Sequence, residues 1–368
     1  MSATGPGQPA GAPRAERLAQ LVADKQLDAL LVSHPVNLRY VTGFTGTNGL
    51  ALVGAGIRSF MTDFRYVEQA AEEVPDFDRA RAPQGELAEA VLALLPARLS
   101  LRVGFDDSQV TVKAHARLAD QLPGGVELVP AAGLVEGLRA VNEPSELERV
   151  VEAAKLADAA FAAVVEQGIA GRTERDVALA LEDHMRHGGA DEPSFRSIVA
   201  AGAHGALPHA EPRRRPIPTG TLVVVDWGAK LEGYCSDCTR TVATGVLDGE
   251  AEEVYALARR AQQAALEAVR PGPEGREIDA IAREMIEAAG HGERFGHGLG
   301  HGVGLEVHEG PRLAKSGSEP LQTGNVVTVE PGIYLPGSFG VRIEDLVTVT
   351  SDGARVLSSI TKELVTVG

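Results

Sequence analysis

Cysteine is almost absent from this chain. Cys235 and Cys238 are the only two in 368 residues, which excludes a disulfide framework and suits a reducing compartment. Aromatic residues are scarce at 4 %, and no apolar run reaches the roughly 20 residues that cross a bilayer, so a soluble, cytoplasmic protein with no membrane partner is expected. Positive charge is in deficit as well. The formal net charge is −16, and the one short basic run, Arg213 to Arg215, reads as a solvated loop, so nucleic acid is not an expected partner. Gly43, Gly46 and Gly49 lack the spacing and the following helix of a dinucleotide or phosphate loop and read as turn formers. Residues 1–13 have neither the charged start nor the apolar centre of a signal peptide and read as a flexible tail.

What is present has the length of two domains. Residues 14–133 alternate short apolar strands (29–32, 50–53, 59–62, 101–105) with amphipathic helices (64–73, 86–95, 112–121), the pattern of an α/β domain. Periodicity then breaks over 134–143, read as a linker. From Pro144 the pattern changes: Leu147, Val150, Val151, Ala154, Phe161 and Val164 form one stripe of a long helix, and a second helix starts behind Thr173 as N-cap. Two further helices, striped at Val254, Leu257, Ala261 and Ala265 and at Ile278, Ile281, Ala282 and Met285, precede a strand-rich end. Helices arriving in pairs, each associated with an antiparallel hairpin, predict an α+β domain over 144–368 that repeats its own plan.

The hairpins carry the chemistry. In VVVDWGAKLEGYCSDCTR a buried strand reaches Asp226, turns through glycines and runs back past Asp237. A register centred on that turn sets the two carboxylates opposite each other, about 5 Å apart. Two buried like charges so close require that one be protonated or that a cation lie between them. The chain does the same again: strands at Val326–Glu330 and Val341–Val349, with a register centred on Gly337, oppose Glu330 and Glu344 and put Arg342 on the face of Glu344 as a permanent cation beside the site.

Between the hairpins, FGHGLGHGVGLEVHEGP holds His297, His301 and His308 among six glycines. The i, i+4 histidines resemble a zinc-protease helix in spacing only, because the glycines disfavour a helix and the general-base glutamate is missing. Four carboxylates and an imidazole form a hard donor set, which favours Mn²⁺ over a thiolate-loving ion. Cys235 and Cys238 straddle Asp237 in one strand without a partner pair, which argues against a redox or zinc motif.

The ordered set Asp226, Asp237, His301, Glu330, Glu344 resembles the five-ligand dinuclear site of the pita-bread metallopeptidases, the clan of methionine aminopeptidase, aminopeptidase P and prolidase. ALPHA around His209, DWGAKLEGYCSDCTRT, FGHGLGHGVGLEVHEGP, TVEPGIY and GVRIED resemble its Xaa-Pro branch, and NLRYVTGFTGTNG and TDFRYVEQA its creatinase-like N-terminal domain. One departure is Ala201 and His204, where relatives often carry Ser and Asn. The resemblance implies an α+β pita-bread catalytic domain behind a smaller creatinase-like α/β domain. It implies two divalent metals, Mn²⁺ foremost with Co²⁺ and Zn²⁺ as alternatives, sharing a water of lowered pKa. It further implies that Glu330 shuttles a proton, that His209 and His308 contact substrate and intermediate, that His297 frames the site and that Arg342 buttresses the ligands. The expected activity is removal of the residue preceding proline from a peptide (Xaa-Pro aminopeptidase) by a homodimer. The alternatives are an Xaa-Pro dipeptidase of the prolidase type, metal-free creatinase-like hydrolysis, and a non-catalytic binding protein on the same fold.

Overall fold

The computed structural model describes residues 13–95, 100–122 and 124–368; residues 1–12 of the expected tail lie outside the described set. The chain divides between Arg139 and Ala140 into two compact units.

The first unit is built on a six-stranded sheet, β1 (Ala29–Val32), β2 (Gly49–Gly54), β3 (Ile57–Thr62), β4 (Asp78–Arg81), β5 (Leu101–Phe105) and β6 (Val126–Pro130), in the order β4-β3-β2-β1-β5-β6. Among the described residues six α-helices accompany it, α1 (Arg14–Asp24), α2 (Pro35–Thr42), α3 (Val67–Glu73), α4 (Leu87–Leu92), α5 (Val112–Gln121) and α6 (Leu134–Arg139). The last corrects the sequence reading, in which 134–143 was a linker. Its first half is helical because Val135 and Leu138 are buried and Arg139 donates to Asn37 Oδ1 at 2.8 Å, tying the helix to α2.

The second unit begins with α7 (Pro144–Glu166), opened by a reciprocal cap between Glu143 and Glu146. α8 (Glu174–His187) follows, capped by Thr173 Oγ1 accepting from the Asp176 N–H. Next come β7 (Glu192–Pro193), β8 (Ile198–Ala201), β9 (Leu222–Trp227), β10 (Ala229–Leu231), β11 (Tyr234–Cys235) and β12 (Cys238–Ala243), then α9 (Gly249–Ala268) and α10 (Gly275–Ala288). The end of the chain supplies β13 (Gly300–Gly302), β14 (Glu309–Leu313), β15 (Val326–Val329), β16 (Gly332–Leu335), β17 (Phe339–Arg342), β18 (Asp345–Val349) and β19 (Ala354–Val356).

The plan repeats as expected. α7 and α8 bury Phe161, Val164, Val177, Leu181 and Met185 against Val199, Val223, Val225, Trp227 and Val242 of the β12-β9-β8 sheet. α9 and α10 bury Val254, Ala258, Ala261, Ile278 and Ala282 against Val327, Val329, Val347 and Val349 of the β14-β13-β15-β18-β19 sheet. Trp227 anchors the first half: its ring stacks on Phe161 at 4.2 Å and its N–H donates to Ala157 O at 2.7 Å. Because strand side chains alternate, Val223, Val225 and Trp227 on the helix side leave Asp226 on the other face, and Val327 and Val329 do the same for Thr328.

The first hairpin corrects the expected register. β9 and β12 pair Asp226 with Thr239, not with Asp237. The turn consists of Glu232 and Gly233, at φ 48° and 86°, between the pair Leu231–Tyr234. That is a two-residue loop with both residues left-handed, the geometry that matches strand twist. Gly228 is not turn but ladder break: a Cβ there would stand 2.0 Å from Ser236 O. The resulting slip is two residues, so Asp237 keeps the face it was expected to share with Asp226.

Candidate metal centre

Each acidic side chain of the site sits where a ladder stops. β15 and β18 pair Val329 with Asp345, β16 and β17 pair Gly332 with Arg342, and Glu330 and Glu344 face each other in the gap between them. Pro331 lacks the N–H that would continue the ladder. Asp237 precedes β12, Asp226 is in β9 and His301 in β13. Carboxylate oxygens of Asp226, Asp237 and Glu344 lie within 4.8 Å of one another. His301 Nε2 is 3.1 Å from Glu330 Oε1 and 3.6 Å from Asp237 Oδ2. His301 Nδ1–H donates to Gly302 O at 3.0 Å, which turns Nε2 toward the acids.

Burial and repulsion together set the charges. Desolvation, then Glu344 and Asp226, pushes the Asp237 carboxyl well above the usual range. Glu344 is driven up in the same way by desolvation, Glu330 and Asp226. Burial also raises Asp226, against the pull of Arg342. Glu330 goes the other way. Burial opposes its ionisation, but the His301 contact and nearby His297 and Arg342 outweigh it and lower it to about 2.

A ring of hydrogen bonds orients these groups. Arg342, 4 % exposed, donates to Asp226 Oδ2 at 2.6 Å, Thr239 Oγ1 at 3.1 Å, Tyr334 Oη at 2.8 Å and Pro208 O at 3.1 Å. The Thr239 hydroxyl in turn donates to Glu344 Oε2 at 2.7 Å. Thr328 donates to Glu330 Oε1 at 3.0 Å and accepts from the His301 N–H at 3.1 Å. His297 Nδ1–H donates to Gly298 O at 2.7 Å, so its Nε2 accepts from Tyr334 Oη at 2.9 Å. Thr239, Thr328 and Tyr334 escaped the sequence reading. Both threonines lie two residues along the chain from a site acid, Thr239 from Asp237 and Thr328 from Glu330, a period-two signal that charge-led reading passes over.

These groups open on a cleft of about 700 Å³ whose walls include His209, His297, His308 and Arg312. His308 is exposed, its ring 4.3 Å from that of His301; partial burial and then His301 lower its pKa, keeping it a neutral donor. Arg213, part of the run read from the sequence as a solvated loop, is instead held by Glu174 at 2.9 Å. Cys235 and Cys238 are buried thiols, raised by desolvation to about 11 in the first case and well above the usual range in the second, and are not a reactive pair.

The residues fit divalent cations. Asp226 Oδ1 and Glu344 Oε1 are buried without a hydrogen-bond partner, a cost that bound metal removes. The remaining donors are carboxylate oxygens and one imidazole nitrogen, the set that suits Mn²⁺ or a similar ion.

Comparison with known proteins agrees with this geometry. A family model described as metallopeptidase family M24 matches residues 148–351, and one described as creatinase/prolidase N-terminal domain matches residues 14–141. The chain is 34 % identical over 353 residues to the Xaa-Pro dipeptidase of Pyrococcus furiosus, covering 95 % of this chain and 99 % of that one. It resembles the solved Xaa-Pro dipeptidase from Bacillus anthracis at TM-score 0.91 and 38 % identity, over 96 % and 99 % of the two chains. The X-Pro aminopeptidase from Thermotoga maritima follows at 0.87 and 34 %, over 96 % and 100 %.

Proposed function

The chain belongs to metallopeptidase family M24, with a creatinase-type domain ahead of a pita-bread catalytic domain, and from that premise we propose that it hydrolyses the peptide bond preceding proline. The observation that carries the reading is the pair of facing acid pairs, with two buried oxygens left unsatisfied beside His301 Nε2. Asp226, Asp237, His301, Glu330 and Glu344 would hold two divalent cations, Mn²⁺ foremost, which when bound supply a water of lowered pKa and positive charge beside the scissile carbonyl. Glu330, ionised by its neighbours, is placed to take a proton and return it to the leaving nitrogen. His308 and His209 donate to the carbonyl oxygen and to the proline side. Arg342 and Thr239 hold Asp226 and Glu344 in orientation.

Substrate length is where the expectation shifts. A dipeptidase needs a cation or hydrogen-bond donors to close the site just past the proline. Arg312, exposed on the cleft wall, is such a cation, and a free proline carboxylate is what a guanidinium there would recognise. This supports the dipeptidase reading. The second reading, an aminopeptidase, keeps the support of the Thermotoga likeness. kcat/KM for one Xaa-Pro dipeptide and for its extensions by one and three residues decides between them. A dipeptidase loses most activity on extension and in Arg312→Ala; an aminopeptidase keeps both. The homodimer implied by the resemblance belongs to the same reading, and its mass by light scattering tests it.

A further inference from the structure

One wall of the cleft is a loop, residues 202–213, that carries Pro208, His209 and Ala210 into the site. Its chemistry is in His209, which is exposed at the loop's far side, so its position depends on how the backbone is held. On the inner side the loop is held by Arg342 donating to Pro208 O at 3.1 Å and by the approach of Gly205 to Gly340, where a Cβ would stand 1.9 Å from Gly205 O.

On the outer side both ends of the loop converge on one carboxylate. Glu174, the first residue of α8 and 1 % exposed, accepts from the Ala201 N–H at 3.0 Å where the loop leaves β8. It accepts from His204 Nδ1 at 2.9 Å within the loop. Where the loop ends, it accepts from the Arg213 N–H at 2.9 Å, Nε at 3.1 Å and Nη2 at 2.9 Å. The two oxygens are filled by loop donors. The backbone repeats the attachment, with the Glu174 N–H on Arg215 O and the Arg175 N–H on Arg213 O. His204, although paired with a carboxylate, is not among the cleft's lining residues, so the pair is not a catalytic dyad.

We propose that Glu174 is a positioning residue for catalysis: with His204 and Arg213 it clamps the substrate-side loop so that His209 meets the substrate. The proposal rests on the substrate role given above to His209. Glu174→Gln keeps the shape but replaces one acceptor oxygen by an NH₂ group facing donors, and removes the charge opposite Arg213.

The test is a double-mutant cycle with His209→Ala in the metal-loaded full-length protein, with metal content and circular dichroism measured on every variant. Glu174→Gln is expected to lower kcat/KM about tenfold with metal unchanged and with faster amide exchange confined to 200–215. His209→Ala is expected to lose about 10²-fold, and the double variant no more than His209→Ala alone, because a clamp has no effect once its object is gone. Losses that multiply, to about 10³-fold, would sink the clamp while leaving His209 its role; so would a fully active Glu174→Gln. An inert His209→Ala overturns both. If Glu174→Gln does not fold, Arg213→Gln enters the same cycle with the same expected and contrary results.

Discussion

In the first unit His34, Asp106 and Glu136 bring potential ligand atoms within 4.8 Å of one another, as Asp226, Asp237 and Glu344 do in the second. The two clusters differ in what solvates them. In the first, the Asn37 amide stands between the acids, donating to Glu136 Oε1 at 2.6 Å and to Asp106 Oδ2 at 3.3 Å. Arg139 fixes the orientation of that amide, and Ser108 donates twice to Asp106 Oδ1. In the second, no amide side chain among the described residues intervenes. Arg342 and Thr239 satisfy one oxygen each, two buried oxygens are left without partners, and Asp237 and Glu344 are pushed up by burial and mutual repulsion. Proximity of acids is common to both; what sets the candidate metal centre apart is the shortage of N–H and O–H donors inside it.

The sharpest way to break the comparison is Asp237→Asn. It relieves repulsion and removes half of a charge pair, so we expect kcat/KM to fall by more than about 100-fold, beyond what loss of an orienting partner costs, together with loss of metal and no loss of apo stability. A variant that binds two metals as tightly as the parent contradicts this. Next in size, His308→Ala should keep its metal and lose about 10²-fold in kcat; a metal-depleted but folded variant would make His308 a ligand. In the first unit the expected effect changes kind. Asn37→Leu removes the amide's bonds to Asp106, Glu136 and Arg139 and should cost about 1–3 kcal/mol of stability by denaturant titration, while kcat/KM of the folded enzyme stays put. The smallest effect concerns pH. Glu174 is lowered from its ordinary value near 4.5: burial opposes ionisation, but Arg213 and the loop N–H groups outweigh it. Its contribution to stability is therefore fully present above about 4.5 and drains away as pH falls through the lowered value. Glu174→Gln should flatten that acid limb, and an unchanged slope below 4.5 would remove Glu174 from the account.

How much of this could be read from sequence depended on range. The second hairpin was legible because its loop is symmetric about Gly337, and both ladders around Glu330 and Glu344 keep that register. The first was misread by two residues because Gly228, a glycine demanded by the close approach of Ser236 O, looked like part of the turn; only the even slip preserved the facing acids. Thr173 announced the start of α8 because capping is local. The clamp at Glu174 was invisible, since its partners lie 27 to 39 residues away and no pattern joins them. The same holds for the mixed sheet of the first unit, where β1 runs antiparallel to β2 but parallel to β5.

The central claim is that the facing acid pairs work only around divalent metal. Titrating Mn²⁺ into chelated protein while following Xaa-Pro hydrolysis and bound metal tests it directly. Activity should be absent without metal and rise to a plateau at two ions per chain; full hydrolysis by protein shown to be metal-free would contradict it.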